Sequence, residues 1–61
     1  MNEERPIIFT VTPLDSGHYR IYTEDSRTDL QANCGSDLST MLASISEELN
    51  NKGYAVLFEV D

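Results

Sequence analysis

A catalytic site needs side chains that carry a nucleophile or a proton, and this chain offers one cysteine and one histidine, Cys34 and His18. Cys34 precedes the start of a predicted helix, and a helix N-terminus favours the thiolate form of a nearby cysteine. The same residues also fit a small, half-buried cysteine at a strand end and a histidine on the surface, which is the commoner arrangement. We therefore predict no thiol and base pair.

Carboxylates are numerous, but their spacing does not predict a metal site. A two-metal nuclease needs carboxylates clustered on neighbouring central strands. The first predicted strand carries no acidic residue, and Glu24 and Glu59 stand singly at strand ends. We expect no enzyme activity, no bound metal ion and no cofactor.

The charge of the chain is strongly negative. Four basic residues accompany eleven acidic ones, for a net charge of −7. Such a chain repels phosphate backbones, so we expect no direct binding to nucleic acid and a preference for basic protein partners. The acidity also has a simpler interpretation, because net charge keeps a small protein soluble.

Length and cysteine content set limits on stability and location. A chain of 61 residues is one domain, and a domain of this size buries only about 60% of the surface that its unfolded form exposes. With one cysteine it cannot form an internal disulfide, so we expect a homodimer or a domain reinforced by a partner. We find no signal peptide and no segment of membrane-spanning length, and therefore predict a cytoplasmic protein that does not bind membranes.

The elements that position these residues follow from apolar periodicity and from turn residues. We predict one domain over residues 1–61 with residues 1–5 disordered. Runs rich in β-branched and aromatic residues predict strands, and an apolar residue at every third or fourth position predicts a helix. The predicted elements are strands at 7–12, 18–24 and 30–34, a helix that starts at Ser36 or Asp37 and ends before Gly53, and a last strand at 54–60.

One face of the predicted helix is apolar. Ser36 or Asp37 is expected to cap its first turn by accepting backbone N–H groups, and Gly53 is expected to end it in a left-handed conformation. The residues of the apolar stripe are Leu38, Met41, Leu42, Ile45 and Leu49.

These elements predict an α+β fold, a single β-β-β-α-β domain. The helix connects the third strand to the last as a crossover, and the most economical topology places the last strand beside the first and parallel to it. The predicted mixed sheet has the strand order 3-2-1-4, with the helix packed on one face. Alternation then turns Tyr54, Val56, Phe58 and Val60 of the last strand toward the helix.

The other sheet face is predicted to be the partner or dimer interface. It carries more apolar side chains than a solvated face needs, although single apolar residues scattered on a surface are also normal. The predicted interface residues are Ile8, Thr10, Arg20, Tyr22, Ala55 and Leu57.

Two short motifs resemble those of the HicB-type antitoxin domain, a degenerate ribonuclease H-like fold. Asp15, Gly17 and Tyr19 match a Gly-Gly-Tyr-like step in its hairpin, and residues 35–38, Gly-Ser-Asp-Leu, match the start of its helix. The helix then continues with Ile-Ser-Glu-Glu-Leu at residues 45–49. The resemblance implies the fold, a tendency to oligomerise and a small basic protein as the partner.

The chain also departs from that family. The usual proline-containing segment between strands two and three is replaced by residues 25–29, and no DNA-binding segment follows the sheet. We therefore expect a non-catalytic acidic interaction module of stand-alone or prophage type, which binds a protein partner or itself, and no autorepression. The alternative function is an acidic nucleic-acid mimic from a mobile element, which inhibits a host enzyme.

Overall fold

The computed structural model describes residues 5–61 and confirms the predicted α+β fold. Residues 1–4, most of the segment predicted to be disordered, lie outside the described residues. The elements are β1 (Ile7–Pro13), β2 (Tyr19–Tyr22), β3 (Ala32–Cys34), α1 (Leu38–Asn51) and β4 (Val56–Val60), with a 3₁₀ turn at Asp15–Gly17 between β1 and β2.

The four-stranded sheet has the order β3-β2-β1-β4, as predicted. β1 pairs antiparallel with β2, so that Val11 lies opposite Ile21, and β2 pairs antiparallel with β3. β4 lies parallel to β1, with Phe9 beside Phe58. α1 connects β3 to β4 across the sheet, and β3 runs in the same direction as β1 because both pair antiparallel with β2. A crossover helix returns the chain in the direction of the strand before it, so β4 is parallel to β1.

The core lies between the sheet and α1. Alternate residues of β1 point to the helix, and Ile7, Phe9 and Val11 are at most 1% exposed. The rings of Phe9 and Phe58 lie 5.7 Å apart between centroids. The remaining buried residues are Ile21, Cys34, Ile45 and Leu49. The helix stripe predicted from the sequence therefore does face the sheet.

The turn between β1 and β2 is tight and uses two residues with left-handed backbone conformations. Leu14 N donates to His18 O at 2.7 Å across it. Gly17 has a φ of 76°, which glycine adopts without steric cost, and Ser16 has a φ of 68°. A serine in this region is strained, because its Cβ approaches the backbone.

The start of α1 differs from the prediction in one respect. Asp37 is the N-cap residue, but its side chain makes no hydrogen bond to the first turn of the helix. Its Oδ1 instead accepts from Gly35 N at 3.1 Å. The carboxylate therefore fixes the chain that enters the helix, and the predicted capping bond is wrong.

The end of α1 is as predicted. Gly53 has a φ of 94° and its N–H donates to Asn50 O at 2.9 Å, while Tyr54 N donates to Leu49 O at 3.0 Å. These two bonds form a Schellman motif, in which a left-handed residue lets the chain turn back and satisfy the last carbonyl groups. Tyr54 also packs against the core that contains Leu49.

Three strands are shorter than predicted, whereas β1 extends one residue further, to Pro13, and β4 is less buried than predicted. β2 ends at Tyr22 because the Thr23 hydroxyl, at 2.7 Å, donates to Ile8 O in place of a backbone N–H. β4 begins at Val56 instead of residue 54. Val60 was predicted to point into the core, but it is 75% exposed. The side chain does lie on the helix side of the sheet, as alternation predicts, yet none of the described residues covers the edge of the sheet at that end.

Candidate interaction surface

The sheet face opposite α1 brings two exposed large apolar side chains together. Ile8 on β1 and Leu57 on β4 lie side by side in the parallel register. They are 42% and 52% exposed, although both belong to regular strands. Side chains paired in this way form one contiguous apolar area, and such an area is typical of a surface that contacts another molecule.

A tyrosine and an arginine extend this area across the sheet. Tyr22 on β2 lies opposite Thr10 on β1, and both are half-buried. The guanidinium carbon of Arg20 lies 5.1 Å from the centroid of the Tyr22 ring, a cation–π contact. Tyrosine and arginine are enriched at protein interfaces because each combines a flat apolar surface with polar groups.

Ala55, the last of the predicted interface residues, lies just before β4. It is exposed, and its carbonyl oxygen accepts from Ile7 N at 2.9 Å. This bond continues the parallel pairing of β1 and β4 one residue beyond the strand. We call the six predicted residues the open face: Ile8, Thr10, Arg20, Tyr22, Ala55 and Leu57.

A shallow groove of about 520 Å³ lies at one end of the open face. Ile8, Thr10 and Tyr22 line it together with residues that are not among the predicted interface residues: Arg5, Pro6, Thr23, Glu24, Asp25 and Arg27. Residues 25–29 form the polar segment between β2 and β3, and nothing in their spacing predicts that this segment folds back beside the start of β1. The groove therefore depends on tertiary structure.

The wall of this groove is held by an ion pair between Asp25 and Arg27. Arg27 Nη2 lies 2.7 Å from Asp25 Oδ2, and Arg27 Nε donates to Oδ1 at 2.9 Å. The hydrogen bonds from the Arg27 side chain and from its backbone N–H lower the pKa of Asp25 to about 2. Arg27 Nη1 also donates to Arg5 O at 2.9 Å, so the pair attaches the turn to the start of β1.

The Cys34 thiol is not activated by its position near α1. Cys34 is buried, and burial, followed by the nearby Asp37 carboxylate, raises the pKa of the thiol. The His18 ring packs beside Gly35, where an added Cβ would lie 3.6 Å from His18 Cδ2. Burial and the Asp37 carboxylate both disfavour the Cys34 thiolate, which is the nucleophilic form.

Within residues 5–61, no group of three or more histidine, cysteine, aspartate or glutamate side chains converges as metal ligands do. In the same part of the chain, no helix has the length and apolar character required to cross a membrane.

Comparison with protein-family models, with curated proteins and with solved structures finds no match to this chain. The resemblance to the HicB-type antitoxin domain therefore rests on the two sequence motifs, and what it implies about function stays a prediction.

Proposed function

We propose that this protein is a non-catalytic interaction module that binds a protein partner through its open face. The observation that supports this most directly is the adjacency of Ile8 and Leu57, two exposed apolar side chains in register on neighbouring strands. Burial of such side chains against a partner contributes about 25 cal/mol per Å² of apolar surface removed from water.

The charge favours a basic partner. At a net charge of −7, long-range attraction accelerates encounter with basic proteins and slows encounter with acidic ones. The resemblance to HicB-type antitoxin domains supports a small basic protein as that partner. A buried, unpaired Cys34 suits a reducing compartment, and we place the protein in the cytoplasm.

The open face is tested with one charged substitution and a matched control. Ile8→Asp places a carboxylate at the centre of the open face, at a side chain that is already 42% exposed. Ser44→Asp adds the same charge at an exposed position of α1. Tagged wild type and both variants are used to capture proteins from nuclease-treated lysate, and binding of any captured protein is then measured with purified components.

We expect to capture a basic protein that binds the wild type and Ser44→Asp with equal affinity. Its affinity for Ile8→Asp should be at least about tenfold lower. Circular dichroism first establishes that both variants are folded. If the captured protein is an enzyme of nucleic acids that is displaced by DNA or RNA, the acidic-mimic function replaces this one. Equal binding by both variants would show that the open face is not the binding surface.

A further inference from the structure

The outer edge of β4 is the least protected part of the sheet. β4 and β3 are its two outer strands, and within residues 5–61 no strand pairs with the outer edge of β4. Proteins normally protect such edges with short strands, prolines, bulges or lysines, because unpaired backbone groups attract other strands. β3 has three residues, whereas β4 has five, Val-Leu-Phe-Glu-Val, with neither lysine nor proline.

The hydrogen bonds to β1 show which backbone groups of β4 face outward. Ile7 N donates to Ala55 O, and Asp61 N donates to Val11 O, each at 2.9 Å. Alternate residues of a strand direct their backbone groups to the same side. Residues 55, 57, 59 and 61 therefore bond to β1, and the N–H and C=O groups of Val56, Phe58 and Val60 point away from the sheet.

The side chains of the same three residues are incompletely covered. They point to the helix side of the sheet, in register with Ile7, Phe9 and Val11, which are at most 1% exposed. Val56 and Phe58 are only half-buried, and Val60 is 75% exposed. The apolar layer of the core thus continues to the edge of the sheet and is uncovered there.

We propose that two copies of this chain pair through β4, antiparallel, about a twofold axis at Phe58. In this register Phe58 lies opposite Phe58 of the second copy, and Val56 lies opposite Val60 of the second copy. Because Phe58 directs its backbone groups outward, this centre is a hydrogen-bonded pair of an antiparallel ladder. All the outward-facing N–H and C=O groups of β4 then find partners.

The distribution of charge on β4 is compatible with a second copy in this register. With Phe58 at the centre, Glu59 lies opposite Leu57 and Asp61 lies opposite Ala55, so no two carboxylates face each other. A register centred on Glu59 would place two carboxylates directly opposite, which is destabilising. The outward backbone groups of the strand are thus complementary to those of a second copy, and its side chains bring no two charges face to face, as an isologous interface requires.

This pairing joins the two sheets into one, with both helices on one side and both open faces on the other. It concerns the edge of the sheet and does not depend on partner binding by the open face. Ile8, the residue substituted to test the open face, lies on β1 and is not part of the β4 edge. A failure of one proposal is therefore distinguishable from a failure of the other.

Analytical ultracentrifugation across micromolar to millimolar protein provides the first test. The wild type is expected to be in a monomer–dimer equilibrium, in which added salt favours the dimer because it screens the repulsion between two chains of charge −7. Val60→Asp should raise the dissociation constant about tenfold or more, since it places a carboxylate in the paired edge. Ser44→Asp, which adds the same charge on α1, should change it less than about twofold.

Amide hydrogen exchange of the wild type identifies the edge directly and does not depend on any variant being folded. Dimerisation is expected to slow exchange at Val56, Phe58 and Val60 as protein concentration rises. Exchange at Leu57 and Glu59, whose N–H groups already bond to β1, should depend less on concentration.

Three outcomes would overturn the proposal. They are a wild type that stays monomeric at high salt and high concentration, equal dimerisation of Val60→Asp and Ser44→Asp, and a dimer that leaves the three outward amides in fast exchange. The last outcome would indicate association through the open face instead.

Discussion

At the scale of single residues, the Asp25–Arg27 pair shows how a short polar turn is fixed to the sheet. Arg27 holds Asp25 through hydrogen bonds from its side chain and its backbone, and its guanidinium also lies 5.7 Å from the centroid of the Tyr54 ring. One side chain thus contacts the turn, the start of β1 and the segment before β4. The side chains of Arg27 and Asp25 are 29% and 22% exposed, so water screens the pair only in part.

This pair predicts a loss of stability at acidic pH. The pKa of Asp25 falls from 3.8 to about 2 in the folded protein, so below pH 4 the unfolded chain binds more protons than the folded one. The contribution of Asp25 to stability is complete above about pH 4 to 5 and is lost as the pH falls toward 2. Urea unfolding at a series of pH values measures it.

The matched variant is Asp25→Asn, which keeps the shape of the side chain and removes its titration. Between pH 5 and pH 2 the free energy of unfolding of this variant should fall less steeply than that of the wild type. Parallel curves for the two proteins would show that Asp25 has the same pKa in the folded and unfolded states.

At the scale of elements, the ends of α1 depend on different physical features. The helix begins without a side-chain cap, whereas its end is defined by the left-handed conformation of Gly53 and two backbone hydrogen bonds. An added Cβ at Gly53 meets no atom within 4 Å, so the effect of a side chain there comes from the backbone conformation itself.

Gly53→Ala is therefore expected to reduce the free energy of unfolding by about 1 kcal/mol, because alanine pays a steric cost in the left-handed region. Gly35→Ala is the control. Gly35 has no positive φ, and its added Cβ would make an ordinary contact with the His18 ring at 3.6 Å. Thermal unfolding followed by circular dichroism compares the stability of the two variants. Equal losses of stability would show that the left-handed conformation of Gly53 is not what makes this position sensitive.

The two outer strands also differ in physical character. β3 is short and carries Cys34 at its buried end, whereas β4 is longer and apolar and exposes Val60. Twofold pairing uses the same β4 edge of both copies, so it yields a closed dimer and not a fibre.

At the scale of the whole molecule, the two sheet faces differ in burial. The covered face holds the core, with Leu49 of α1 at 1% exposure, and the open face carries Leu57 at 52% exposure. A chain of 61 residues has roughly 3–9 kcal/mol of stability in total. One core substitution can therefore remove a large part of it.

Leu49→Ala should lower the free energy of unfolding by about 2–5 kcal/mol, because it leaves a cavity under the helix. Leu57→Ala should change it by about 0.5 kcal/mol or less, because that side chain is mostly in water. Chemical denaturation of dilute protein measures both changes. Similar losses from the two variants would contradict the division of the sheet into a core face and an open face.

Sequence alone determined the element order, the strand order and the residues on each face. Periods of two and of 3.6 residues identify strands and a helix, and a helix that joins two strands of one small sheet leaves few topologies. That reasoning placed Ile8 and Leu57 on the face opposite α1, and the structure shows them in register. Gly53 ended the helix as expected, since few other residues adopt its conformation without strain.

Tertiary structure decided the burial and the contacts that the periodicity of the sequence does not encode. Alternation turned Val60 toward the helix side, but only the position of β4 at the sheet edge leaves it 75% exposed. Likewise, the groove beside Tyr22 exists because Arg27 reaches back to Arg5, a contact between residues far apart in the chain. Side-chain direction is set locally by the backbone, whereas burial depends on what the rest of the fold places above each side chain.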